Sequence, residues 1–115
     1  MDIGNTQWDF YANGEKGVLN IKNEVEKDRW TGDLSGTSVL ISWDEASKRI
    51  SFAREVVPGH KKEAVPLVLQ FYTGSLAYDG PPAIASGIFD QISYLPLNHG
   101  KSTHSWAAIQ IPPIL

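Results

Sequence analysis

Ser38-Val39-Leu40-Ile41-Ser42-Trp43-Asp44 and, four residues later, Arg49-Ile50-Ser51-Phe52-Ala53-Arg54-Glu55-Val56 decide how this chain folds. In the first run Val39, Ile41 and Trp43 fall on one side of an extended chain and Ser38, Ser42 and Asp44 on the other, because successive strand side chains point to opposite faces. In the second run Ile50, Phe52 and Arg54 share a face. Between them Glu45-Ala46-Ser47-Lys48 has the polar character of a hairpin turn. No window elsewhere keeps a helical spacing of apolar residues through three turns.

The same alternation extends in both directions. Residues 6–11 alternate and run into the turn Ala12-Asn13-Gly14. Residues 17–23 set Leu19 and Ile21 against Asn20 and Lys22. The polar run 24–28 reads as a connector, and 29–36 as a third strand. After a loop at 58–64, residues 65–78 are long enough for one extended strand, broken by Asp79-Gly80-Pro81-Pro82. Residues 83–91 form a seventh strand in which Gly87 marks a bend or a close backbone approach. A connector at 98–103 precedes an eighth strand at 105–111, which Pro112 and Pro113 end because neither donates to a ladder. Strands at roughly ten-residue spacing predict an all-β fold, an eight-stranded antiparallel up-and-down barrel, with a two-sheet sandwich as its rival. Closure removes exposed edges and leaves an interior just wide enough for side chains or one small ligand.

Composition narrows the function. The 115 residues make one domain, and the absence of cysteine excludes thiol nucleophiles, thiolate metal sites and disulfide scaffolds. Ten basic against thirteen acidic residues, a net charge of −3, argue against a surface that tracks nucleic-acid phosphates. No apolar run approaches the ~20 residues of a membrane-spanning helix, so no membrane partner is expected. Met1-Asp2-Ile3-Gly4-Asn5 lacks the basic and apolar regions of a secretion signal, which makes the cytoplasm the expected location.

Several motifs resemble a known family. Trp8 followed by Asn13-Gly14 and the strand from Gly17 looks like the opening of avidin- and streptavidin-like, calycin-type barrels. Trp30-Thr31-Gly32-Asp33-Leu34-Ser35-Gly36 is similar to their third strand and Phe71-Tyr72-Thr73-Gly74-Ser75-Leu76 to their sixth. Trp106 falls where that family carries a Trp in its last strand. The resemblance implies an avidin-like barrel with a ligand site in its lumen, and it makes Phe52, Tyr72 and Phe89 the counterparts of the family's Trp walls. The departures imply a ligand other than biotin. Asp9, Phe10, Tyr11 and Glu15 surround the first hairpin, where the family needs an Asn and hydroxyls, and Ile111-Pro112-Pro113-Ile114 replaces its late Asp. The shared pattern aromatic-Thr-Gly-x-Leu at Trp30 and Tyr72 reads as a structural device in which Gly lets each strand coil.

The candidate ligand site is Trp30, Trp43, Phe52, Arg54, Gln70, Tyr72 and Phe89. The rings, together with Trp106, either line a pocket or simply fill the barrel. Arg54 follows Phe52 inward and must find a partner; it either closes over Trp8 and Asp9 or anchors a ligand carboxylate. Trp8 plugs one end. Asp44 and Glu45 point to opposite sides and read as solvated turn residues. His99, His104 and Asp90 match no metal-binding spacing, and His60, Lys61 and Lys62 are a loop charge cluster. No cofactor or metal is expected, and no catalytic motif is present. The leading expectation is a non-catalytic binder of a small, largely apolar ligand in the lumen. A protein-interaction or inhibitor module with a filled barrel is the alternative. It would self-associate as a homodimer or higher oligomer through Trp106-Ala107-Ala108-Ile109 and the apolar tail. A lumen isomerase or cyclase is a third reading.

Overall fold

A computed structural model describes residues 2–56, 68–93 and 100–112. The alternating runs become eight strands: β1 (Thr6–Ala12), β2 (Glu15–Glu26), β3 (Arg29–Leu34), β4 (Thr37–Asp44), β5 (Arg49–Val56), β6 (Val68–Tyr78), β7 (Ile84–Ser93) and β8 (Gly100–Ile111). Each strand pairs antiparallel with the next, and β1 also pairs with β8, from Gln7 opposite Ile111 to Ala12 opposite Trp106. That closing ladder excludes the sandwich. Ile41 lies opposite Phe52 and Trp43 opposite Ile50, so the two apolar faces of the deciding hairpin become one stretch of the barrel interior.

The turns follow their chemistry. Asn13 and Gly14 take φ of 50° and 78°, the left-handed pair that a two-residue hairpin loop needs. Ser35 and Gly36, with φ of 49° and 86°, make the next such turn, so β3 ends two residues earlier than the sequence pattern indicates. These turns lie at one end of the barrel, the mouth. The floor is the end holding the β2–β3, β4–β5 and β6–β7 turns.

Two expected connectors prove to be strand in part. The polar run at 24–28 continues β2 as far as Glu26, with register irregularities around Glu24. Its side chains are exposed, and a solvated ribbon needs no apolar face. Its ladder is supported from outside by Thr31 Oγ1, which donates to the Asn23 carbonyl over 3.3 Å. Strand β8 begins at Gly100, inside the expected 98–103 connector, because its outward side chains pair with β7. Thr103 donates to Asp90 over 2.6 Å, and Lys101 sits 3.8 Å from the same carboxylate. The 58–64 loop, its His60, Lys61 and Lys62 cluster, His99 and the tail at 113–115 lie outside the described residues.

The floor half of the lumen is solid. Ile3, Trp8, Trp43, Ile50, Trp106 and Ala108 surround a residual apolar gap of ≈ 10 Å³, which offers a water no polar partner. Trp8 plugs this end and donates its indole N–H to Thr6 Oγ1 over 3.0 Å. Strands β6 and β7 approach unusually closely where Gly74 faces Gly87. A Cβ on Gly87 would lie 1.9 Å from the Thr73 carbonyl oxygen, and one on Gly74 would lie 2.4 Å from Trp106 Cζ2. Trp106 uses that space to donate its N–H to the Thr73 and Ile88 carbonyls, at 3.2 and 3.1 Å.

Candidate functional site

Above the solid floor, β5 to β8 bring their inward residues into register as two rows. In the lower row Phe52 faces Tyr72, Tyr72 faces Phe89, and Phe89 faces His104. Inward positions on neighbouring strands fall side by side, so the four rings run across four strands with centroids 4.6, 4.8 and 5.0 Å apart. Phe10 on β1 meets this row edge-on, 5.6 Å from Tyr72, and stacks on Trp106 at 5.2 Å. Such pairs add about 0.5–1.5 kcal/mol each beyond their burial, which makes the row a rigid base.

Two residues nearer the mouth, Arg54 faces Gln70 and Gln70 faces Gln91. Gln70 is 8% exposed, the one buried polar residue among those described. Its amide orientation follows from its neighbours. Arginine can only donate, so the Gln70 atom 2.9 Å from Arg54 Nε is the oxygen, Oε1. The Tyr72 hydroxyl donates to that same oxygen over 2.7 Å. Burial pushes the Tyr72 phenol above its ordinary range, opposed by the Arg54 charge, and keeps it protonated as a donor. Gln70 Nε2 must then face Gln91, and it donates to Gln91 Oε1 over 2.8 Å.

Removing the shared acceptor tests this arrangement. Gln70→Leu is expected to destabilise the protein by about 1–3 kcal/mol, because Tyr72 and Arg54 both lose a partner in a semi-buried setting. Urea unfolding with an unchanged slope would give the value; no loss would mean that the network contributes nothing to the fold.

The two rows enclose a cup of ≈ 370 Å³ at the mouth, within the size range of small-ligand sites. Phe10, Tyr72 and Phe89 form its base, and Arg54, Gln70 and Gln91 its wall. Asn13, Glu15, Lys16 and Ser35 from the two mouth turns form its rim. A broader furrow of ≈ 580 Å³ lies on the outer wall beside Ser51, Thr73 and Ser86. Its volume is larger, but the buried polar group of the described residues belongs to the cup.

The structure brings together five of the seven candidate residues: Phe52, Arg54, Gln70, Tyr72 and Phe89. Trp30 and Trp43 stand toward the floor. Trp30 is half-buried against the core beside Gly4. Trp43 is buried and donates its indole N–H to Glu45 Oε2 over 2.7 Å. Asp44 ends β4 and Glu45 opens the turn that follows; both are exposed, as expected. Asp44 accepts from Ala46 N and Ser47 Oγ, and Glu45 pairs with Lys48. Arg54 meets neither Trp8, which is at the opposite end, nor Asp9, which sits 3.7 Å from Lys16. His104, just before the expected strand at 105–111, is the last ring of the aromatic row, with Nε2 2.9 Å from Ser102 Oγ. Phe10, Gln91 and His104 join the site without having been assigned to it from the sequence, since only register shows that they flank Tyr72, Gln70 and Phe89. The proposed interaction segment divides: Trp106 and Ala108 are buried inside, while Ile109 is exposed on the wall.

The Trp43–Glu45 contact carries a pH prediction. The Lys48 ammonium, with the Trp43 N–H, holds the Glu45 carboxyl at about 2, against an ordinary 4.5. A lowered carboxyl stabilises the fold above its unfolded pKa and loses that contribution as pH falls through the folded one. The Trp43 indole N–H resonance is therefore expected to titrate with a midpoint at about 2. A midpoint at the ordinary carboxylate value in an NMR titration would show that the contact is not made in solution.

No protein-family model matches the chain, and no curated protein matches it in sequence. A solved structure of apo shwanavidin superposes on it with a TM-score of 0.61 at 12% identity, covering 93% of this chain and 99% of that one. With the closed eight-strand antiparallel barrel, that likeness establishes an avidin-like fold.

Proposed function

We propose that this avidin-like barrel is a non-catalytic binding protein that holds a small ligand in the cup at its mouth, and that the ligand is not biotin. The observation that carries the reading is the division of the lumen. The floor is filled to within a ≈ 10 Å³ gap, whereas the mouth keeps ≈ 370 Å³ above a row of packed rings. An apolar body laid on those rings gains roughly 25 cal/mol for each Å² removed from water. The polar wall fixes its orientation. Against biotin stands the state of the wall: the buried amide oxygen of Gln70 already accepts twice, and that of Gln91 once. A ureido group brings two N–H donors that need acceptors at that depth, and each unmatched one costs about 1–3 kcal/mol.

Native mass spectrometry of protein purified from its own source is expected to show a retained small molecule, and calorimetry with biotin no sub-micromolar binding. Sub-micromolar biotin binding would overturn the choice of ligand. Protein that carries nothing, and whose mouth takes up no small molecule, would overturn the binding reading.

Self-association is a second reading, favoured by the outer wall. Phe71, Ile88 and Ile109 are exposed on β6, β7 and β8, at 43%, 50% and 38%. Light scattering that finds a monomer at high concentration would remove it.

A further inference from the structure

The polarity of the cup wall selects a class of ligand. Counting hydrogens and lone pairs from Arg54 outward shows that the buried acceptor of the wall, Gln70 Oε1, is filled while most of the wall's donors stay free. Gln70 Oε1 takes two hydrogen bonds, from Arg54 Nε and the Tyr72 hydroxyl, which fills both of its lone pairs. Gln70 Nε2 spends one hydrogen on Gln91 Oε1 and keeps the other. Gln91, having received that bond on oxygen, turns its whole amino group away from Gln70. Arg54 commits Nε to Gln70, reaches the Tyr72 hydroxyl as well, and keeps its remaining terminal N–H bonds. Among the described residues no carboxylate pairs with the Arg54 guanidinium. The acidic residue of the cup, Glu15, is an exposed rim residue, with Lys16 beside it.

From this pattern we propose that the ligand is a small planar carboxylate: a flat apolar body over Tyr72 and Phe89, with its oxygens turned to Arg54 and Gln91. The inference rests on the binding reading above and specifies the chemistry of that same site. The guanidinium fork matches a carboxylate in two parallel hydrogen bonds, where an ammonium would be only a point charge. Gln91 and the second N–H of Gln70 supply further donors along the same wall. A cationic ligand would meet Arg54 with like charge, and a ligand rich in donors would find few free acceptors. The base also suits a flat group, because two of the rings that line it, Tyr72 and Phe89, are stacked side by side.

The test uses three probes that share a phenyl ring and differ in charge: benzoate, benzyl alcohol and benzylamine, titrated at millimolar concentration into ¹⁵N-labelled full-length protein. Benzoate is expected to shift the side-chain N–H signals of Arg54, Gln70 and Gln91 and to bind at least tenfold more tightly than benzylamine. Arg54→Met is expected to weaken benzoate at least tenfold and leave benzyl alcohol within twofold, with Arg54→Lys in between. A dispersed spectrum of each variant confirms its fold, and the ranking of probes on the unmutated protein does not depend on any variant. If benzyl alcohol or benzylamine binds the cup as well as benzoate, the carboxylate inference fails and the binding reading stands. If no probe moves any signal around the cup, both fail.

Discussion

Trp106→Ala is expected to destabilise the barrel by about 3–5 kcal/mol, the cost of emptying a large aromatic site in a packed core. Three contacts are lost together: the stack on Phe10 at 5.2 Å and the two hydrogen bonds to the Thr73 and Ile88 carbonyls. The side chain is 3% exposed and abuts the floor gap of ≈ 10 Å³, so its removal opens a hole that neighbouring backbone cannot close. For a domain of this length the loss corresponds to a drop in Tm of roughly 10–20 °C. Trp106→Phe keeps the stack and removes the N–H, and about 1–2 kcal/mol is expected from that part alone. Calorimetric melting of both variants checks the division. Equal losses would mean that the hydrogen bonds, not the volume, hold β8 to β6 and β7.

The second large effect comes from adding one carbon. Gly87→Ala places a Cβ 1.9 Å from the Thr73 oxygen and 2.5 Å from Gly74 Cα, both backbone atoms of the neighbouring strand. Overpacking usually costs about 1–3 kcal/mol when a flexible side chain can give way. Here the strand itself must move, and it carries the carbonyl to which Trp106 donates. A loss of about 3 kcal/mol or more is expected, a large part of the ~5–15 kcal/mol that holds a typical domain folded. Gly14→Ala is the control. Its Cβ would meet nothing within 4 Å, so only the cost of its φ of 78° remains. If Gly87→Ala melts with the unmodified protein, the close approach of β6 and β7 is not a feature of the protein in solution.

Much of this was legible from residue order alone. The spacing of Val39, Ile41 and Trp43 against Ile50 and Phe52 showed which side of each strand faces in, and the strands counted from that spacing match the eight observed. What spacing could not supply was register. Gln70 precedes Tyr72 by two positions and Gln91 follows Phe89 by two. They become neighbours only when β6 and β7 are paired at Tyr72 and Phe89. That mirror arrangement about the β6–β7 turn was visible in the sequence, but nothing local marked it as meaningful. For the same reason the inward direction of Arg54 was readable and its partner was not. Trp30 and Trp43 share the inward faces of β3 and β4, yet alternation says nothing about depth, and depth separates them from the cup. The polar stretches at 24–26 and 100–103 misled because outward strand residues and loop residues have the same composition.

The split between a solid lower barrel and a hollow upper one separates the residues that hold the fold from those that line the mouth. Side chains at Arg54, Gln91 and the two mouth turns can be exchanged without opening a void, since the plug around Trp8, Trp43 and Trp106 keeps its volume. A handful of substitutions could therefore reshape the mouth while the tube beneath it kept its form.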